Sequence, residues 1–140
     1  MRLLLLILIC TSTFTQANTA KIENYWLQAA PPNAMMMAAY AELRNDSNKD
    51  ITLVGAYSPA FKMTEIHKSV IENGIAKMIH QPKLVIKPSE KLILKPGSYH
   101  IMLMQPIIKF KKGDLIKINL IYQNGDKLEV KENWFPVEFR

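Results

Sequence analysis

Three histidines and eight methionines lie in this 140-residue chain, and four of these side chains have spacings that allow them to converge. His67 is followed after ten residues by Met78, and Met78 after twenty-one by His100, Ile101 and Met102. In an extended strand, successive side chains point to opposite faces, so His100, Met102 and Met104 share one face and Ile101 and Leu103 the other. The other pair depends on a hairpin. Asn73-Gly74 is the dipeptide that a two-residue type I′ turn favours, and it joins two strand-like runs, Met63–Ile71 and Ile75–Gln81. That turn predicts Glu72 facing Ile75, Ser69 facing Met78 and His67 facing His80. Met78 then lies diagonally from His67 on one sheet face, within reach of a long side chain. A slip of one residue would put them on opposite faces, so the turn and the site require the same register.

Such a donor set has a definite chemistry. Thioethers are soft, neutral ligands that favour Cu(I) over zinc or magnesium, and two imidazoles add affinity without adding charge. The bound ion keeps its single positive charge, which suits binding and transfer better than redox turnover. His80 faces His67 in this register and can assist or replace Met78, although an exposed hairpin histidine is the expected role. Met104 shares the face of His100 and is expected to pack beneath the site, and Met63 is expected in the core. Met35-Met36-Met37 offers a soft approach path for copper, although adaptable apolar packing is the expected role. A hydrogen-bond acceptor behind the ring should orient His100, with Tyr99 and Ser98 as candidates.

The elements that must position these residues read as short strands. Met37, Ala39, Ala41 and Leu43 alternate with Ala38, Tyr40, Glu42 and Arg44 after Pro31-Pro32-Asn33. A polar turn at 45–50 leads to the apolar run Ile51–Tyr57. Lys83–Ile86, Lys91–Leu94 and Tyr99–Met104 follow, the last opened by Pro96-Gly97. Leu115–Tyr122 and Lys127–Lys131 pair around Asn124-Gly125-Asp126. No stretch keeps a 3.6-residue period for three turns. Eight or nine strands at this spacing predict an all-β, antiparallel sandwich or Greek-key barrel. Trp26, Trp134, Phe110 and Phe135 are expected to pack in the core or at its edges.

The N-terminus has a different character. Met1-Arg2 precedes an apolar run, Leu3 to Ile9, and small and polar residues from Thr11 to Ala20. That is the layout of a signal peptide over 1–20, cleaved after Ala17 or Ala20, with the domain at 21–140. The apolar run is shorter than the roughly 20 residues that cross a bilayer, so no membrane span is expected in the mature form. Cys10 follows Ile9 where a lipoprotein signal would carry a small residue, and lipidation is not expected. Without Cys10 no thiolate remains, which excludes a disulfide brace, a cysteine nucleophile and a blue-copper centre. Loss of Arg2 leaves 17 Lys+Arg against 12 Asp+Glu, a charge of +5. The lysines are scattered and the destination is outside the cytoplasm, so nucleic acid is not an expected partner.

The segments Ala29-Ala30-Pro31-Pro32-Asn33-Ala34, Ser58-Pro59-Ala60, Glu65-Ile66-His67, Asn73-Gly74 with Met78, and Lys95 through Met104 resemble the bacterial periplasmic copper chaperones called PCu(A)C. The signature of that family is His-x10-Met-x21-His-x-Met, and the resemblance runs from about Trp26 to Tyr122. It implies a cupredoxin-like β-barrel that binds Cu(I) through His67, Met78, His100 and Met102. It also implies delivery to the binuclear copper centre of cytochrome c oxidase, through its copper-accepting subunit or another periplasmic copper carrier. Many relatives carry a Met- and His-rich tail. The last ten residues here, Lys131 to Arg140, hold neither residue type, so no second copper site is expected there. Copper sequestration without delivery, and a metal-free interaction module, are the competing readings. An enzyme is not expected, because no Ser-His-Asp pattern, phosphate loop or carboxylate cluster stands out.

Overall fold

In a computed structural model of the protein, residues 19–140 are described. Ten strands follow one another: β1 (Lys21–Gln28), β2 (Met36–Arg44), β3 (Ile51–Tyr57), β4 (Phe61–Glu72), β5 (Ile75–His80), β6 (Leu84–Ile86), β7 (Lys91–Leu94), β8 (Tyr99–Pro106), β9 (Leu115–Asn124) and β10 (Lys127–Glu138). The expected ends of β3 and β7 coincide with the observed ones. The others differ by one or two residues at an end, except that β10 continues seven residues beyond Lys131. β1 had no counterpart in the sequence reading.

The strands pair in the order β5-β4-β8-β2-β1-β10-β9-β3-β6, with β7 also paired to β2. The sheet folds on itself as a sandwich, the cupredoxin-like architecture that the sequence suggests. One pairing departs from an all-antiparallel plan: β1 runs parallel to β10, with Leu27 beside Val137. Parallel neighbours need a long crossover between them. Here most of the chain serves as that crossover, which is why local patterning gave no sign of it.

Alternation decides which side of each strand is buried. Met37, Ala39, Ala41 and Leu43 on β2, Ile101 and Leu103 on β8, and Ile66 on β4 enter the core, with Leu53, Ile118, Tyr122 and Phe135 from the opposite layer. Phe135 takes the edge of the Tyr25 ring at 5.1 Å, while Trp134, its neighbour in sequence, faces solvent.

Two turns fix the strands that matter most. Asn73 and Gly74 adopt φ values of 52° and 77°, the positive pair that a type I′ turn demands. At Lys95-Pro96-Gly97-Ser98, the Ser98 amide donates to the Lys95 carbonyl at 3.1 Å and Gly97 sits at φ 76°. That is a type II turn, with proline and glycine at the positions that favour them. It aims the chain directly into Tyr99 and His100. The candidate export signal lies outside the described residues apart from Thr19 and Ala20. Among the described residues, no helix is long and apolar enough to cross a membrane.

Candidate metal centre

The hairpin has the predicted register: Glu72 faces Ile75, Ser69 faces Met78 and His67 faces His80. On the other side of β4, His67 faces His100 and Glu65 faces Met102. His80, His67 and His100 therefore form one row across three strands. Directly opposed residues share a sheet face, and here it is the outer one, since Ile66, Ile101 and Leu103 point inward.

His67 is central. Its ring centroid lies 6.0 Å from that of His100 and 5.9 Å from that of His80. An imidazole nitrogen binds a metal at about 2.0 Å, which sets two rings sharing an ion about 5–6 Å apart between centroids. His100 and His67 meet that spacing, but so do His80 and His67. The row alone does not choose between them. His80 and His100 flank His67 on opposite sides. Among the described residues, no three His, Cys, Asp or Glu side chains converge tightly enough to hold an ion. The three imidazoles are thus not a cage, and thioethers must complete any site here.

Hydrogen bonds select the free lone pairs. His100 is 4% exposed, and its Nδ1 lies 3.1 Å from the Ser98 carbonyl oxygen. A carbonyl only accepts, so Nδ1–H donates and Nε2 keeps the lone pair of the neutral ring. Of the two expected orienting residues it is Ser98, through its backbone, that performs the task. Tyr99 turns away, and its ring carries the Lys68 ammonium at 5.1 Å.

His67 has the opposite arrangement. Its Nε2 lies 2.8 Å from Glu65 Oε2, and its side chain is 12% exposed. With Nε2–H given to the carboxylate, Nδ1 holds the lone pair. That atom is buried and has no hydrogen-bond partner. A buried acceptor without a partner is costly in ordinary structure, and it marks a position prepared for something else. A carboxylate that holds a histidine from behind is the usual support of a metal-binding imidazole. The role of Glu65 was not seen in the sequence, although its place two residues before His67 on a strand puts the two on one face.

Met102 lies directly opposite Glu65, half-buried and diagonal to His67. Met78 is 59% exposed on edge strand β5, diagonal to His67 on the other side. Met78 and Met102 are two strand spacings and four residues apart, roughly 17 Å between Cα atoms in an ideal flat sheet. The register sets His67 opposite His100 with Met102 one diagonal step away, whereas Met78 stands on the far side of His67, apart from Met102.

Three expectations about other methionines change. Met63 is not in the core but 49% exposed on the outer face of β4. Met104 lies beside the site along β8, facing Met63, and not beneath it. Of Met35, Met36 and Met37, only Met37 packs inward, and the other two are exposed.

Comparison with known proteins identifies the family and the fold. The LpqE-like family, described as "Putative lipoprotein LpqE-like", matches residues 20–135. The "Putative lipoprotein Lxx21020" of Leifsonia xyli subsp. xyli is 30% identical over 112 residues, 79% of this chain. The chain spans 66% of the length of that protein and 49% of a second relative. Among solved structures, the copper-bound PCuAC domain from PmoF2 superposes with a TM-score of 0.70 at 19% identity, covering 87% of this chain and 94% of that one. CuI-DR1885 from Deinococcus radiodurans gives a TM-score of 0.65 at 27% identity, covering 87% and 81%. By sequence and by fold, the chain belongs to the LpqE-like family and is a PCuAC-like β-domain.

Proposed function

We propose that this domain is an exported carrier of Cu(I), held by His67, His100 and Met102 with Met78 as the fourth ligand, and that it passes the ion to another protein. The observation that carries this reading is the pair of prepared imidazoles. Ser98 fixes one tautomer and Glu65 the other, and each ring is left with one lone pair on a common face. Neutral nitrogen and sulfur donors suit a soft monovalent ion. The solved relative at 27% identity carries Cu(I) by its own description.

Delivery needs a site that a partner can reach. His100 is buried while Met78 is exposed at the rim, so an acceptor can replace the outer thioether before the imidazoles let go. The family resemblance directs delivery to the binuclear centre of cytochrome c oxidase. Export is supported by the N-terminal apolar run and by the lipoprotein descriptions of the family and of one relative. Ala20 is fully buried and its carbonyl receives the Lys131 ammonium at 3.2 Å, which favours cleavage after Ala17. Mass spectrometry of the secreted chain reads the processing directly: an N-terminus at Asn18 is expected, and a lipid on Cys10 would replace the soluble carrier with an anchored one.

The functional test is an anaerobic competition titration with a Cu(I) chelator, followed by mixing with a soluble oxidase copper domain. One tightly bound Cu(I) per chain and much weaker Zn(II) are expected, with loss of copper to the acceptor. Equal affinity for Zn(II) would overturn the reading. Retention in the presence of the acceptor would leave storage as the function.

A further inference from the structure

One row of the outer face lies beyond the site just described. On β8, Met104 follows Met102 on the same side. Its direct partners are Met36 on β2 and Met63 on β4. Three methionines therefore stand in register on three adjacent strands, with Met104 in the middle. Met36 is 59% and Met63 49% exposed.

Burial does not account for this row. The neighbouring Met37 points inward and packs at 7% exposure, as a core methionine should. Outward positions on a sheet with one solvated face are ordinarily polar; Glu42, Glu65 and Ser69 follow that rule here, while Ile71, Met78 and Ile93 are scattered exposed exceptions that form no row of their own. Two exposed methionines and one half-buried methionine in a single row contribute little to the core. Together they supply three thioether sulfurs on flexible stems. Directly opposed residues have Cα atoms about 4.5–5.5 Å apart, so the three sulfurs can meet over Met104 without backbone movement.

We propose that Met36, Met63 and Met104 form a second site for a soft monovalent cation, Cu(I) or its analogue Ag(I). Three neutral thioethers select softness and reject zinc, magnesium and calcium. With no imidazole in the set, the site is the weaker of the two. Two residues along a strand span about 7 Å, so this row sits one step from Met102. Between the two rows, β2 places only Ala38 opposite Met102, which leaves the surface low. On the reading of the domain as a copper carrier, the row is a loading position from which the ion moves to Met102 and the imidazoles. The site itself rests on the row alone.

The test uses the mature chain with 13C-labelled methionine methyl groups, titrated anaerobically with Cu(I) and, separately, Ag(I). The first equivalent is expected to shift Met102 and Met78. The second shifts Met36, Met63 and Met104 together, with an affinity at least a hundredfold weaker. Met104→Leu and Met63→Leu conserve volume, and each is expected to remove the second event and leave the first. In His67→Ala the first event is weakened while the three-methyl response persists, so a failed main site is distinguished from a failed second site. The proposal is overturned if the three methyls do not move, if they move independently of one another, or if either leucine variant keeps the second event. It is equally overturned if their shifts track protein concentration without metal, which would make the row a contact between copies.

Discussion

Replacing Glu65 isolates the most specific claim about the site, that a carboxylate prepares His67 Nδ1 as a ligand. The bond from Nε2–H to Oε2 is 2.8 Å and charge-assisted. In Glu65→Ala the ring loses its acceptor, samples both tautomers and turns about its own axis, so its lone pair is presented only part of the time. Outer-shell partners of metal-binding histidines contribute about 10–100-fold in affinity, equivalent to about 1.4–2.7 kcal/mol. Because the Glu65 carboxylate is partly open to solvent, the lower end applies, and Glu65→Ala should weaken Cu(I) by about tenfold. Glu65→Gln still offers an oxygen to Nε2–H but no charge, and should lose about threefold. Chelator competition gives the affinities, and 15N chemical shifts of the imidazole nitrogens report the tautomer of apo His67. An unchanged affinity with an unchanged tautomer in Glu65→Ala refutes the positioning role. Tighter binding refutes it more sharply, since the carboxylate would then be competing with the ion for Nε2.

Three further outcomes are expected. Met78→Ala should weaken Cu(I) by about tenfold, or about 1.4 kcal/mol, and Met102→Ala by more, while His80→Ala changes it by less than about threefold; a damaging His80→Ala with a silent Met78→Ala would mean that the fourth ligand is the imidazole. Protons compete with the ion for imidazole lone pairs, so Cu(I) affinity should fall from about pH 8 to about pH 5, and a flat profile would argue against two histidine ligands. Asn45 is fully buried and donates to the carbonyls of Lys49 and Ile86 at 2.7 and 2.8 Å, so Asn45→Ala should destabilise the fold by about 1–3 kcal/mol in denaturant titration without altering copper stoichiometry.

The local half of this site was legible because turn chemistry and alternation are local. Asn73-Gly74 fixed the β4–β5 register, and the HxMxM spacing placed three side chains on one face of β8. What joins the two halves was not legible. The β4–β8 register, with His67 opposite His100, is a contact between strands separated by the whole hairpin and by β6 and β7. No local rule specifies it. That register also sets Met78 and Met102 on opposite flanks of His67, which the hairpin alone could not reveal. Met63 was misplaced for a related reason. A methionine in a strand reads as core by its residue type, and only the strand's partners show that its side faces out.

The two faces of the same strands carry separate duties, and this limits what the site can tolerate. On β8, Ile101 and Leu103 hold the core while His100 and Met102, the proposed ligands, point to the other face, one residue apart. A one-residue slip of β8 against β4 would turn His100 toward the core and Leu103 away from it, losing both core and site in one move. The type II turn at Pro96-Gly97 and the inward packing of Ile66 against its partner Ile101 both oppose such a slip. The proposed ligands are therefore held in register by residues on the opposite face of the sheet. Substitutions at Ile101 should damage both stability and binding, whereas those at Met102 should spare the fold. A site kept in place by the opposite face of its own strands can remain neutral, soft and open to an acceptor, because none of its ligands is required to hold the protein together.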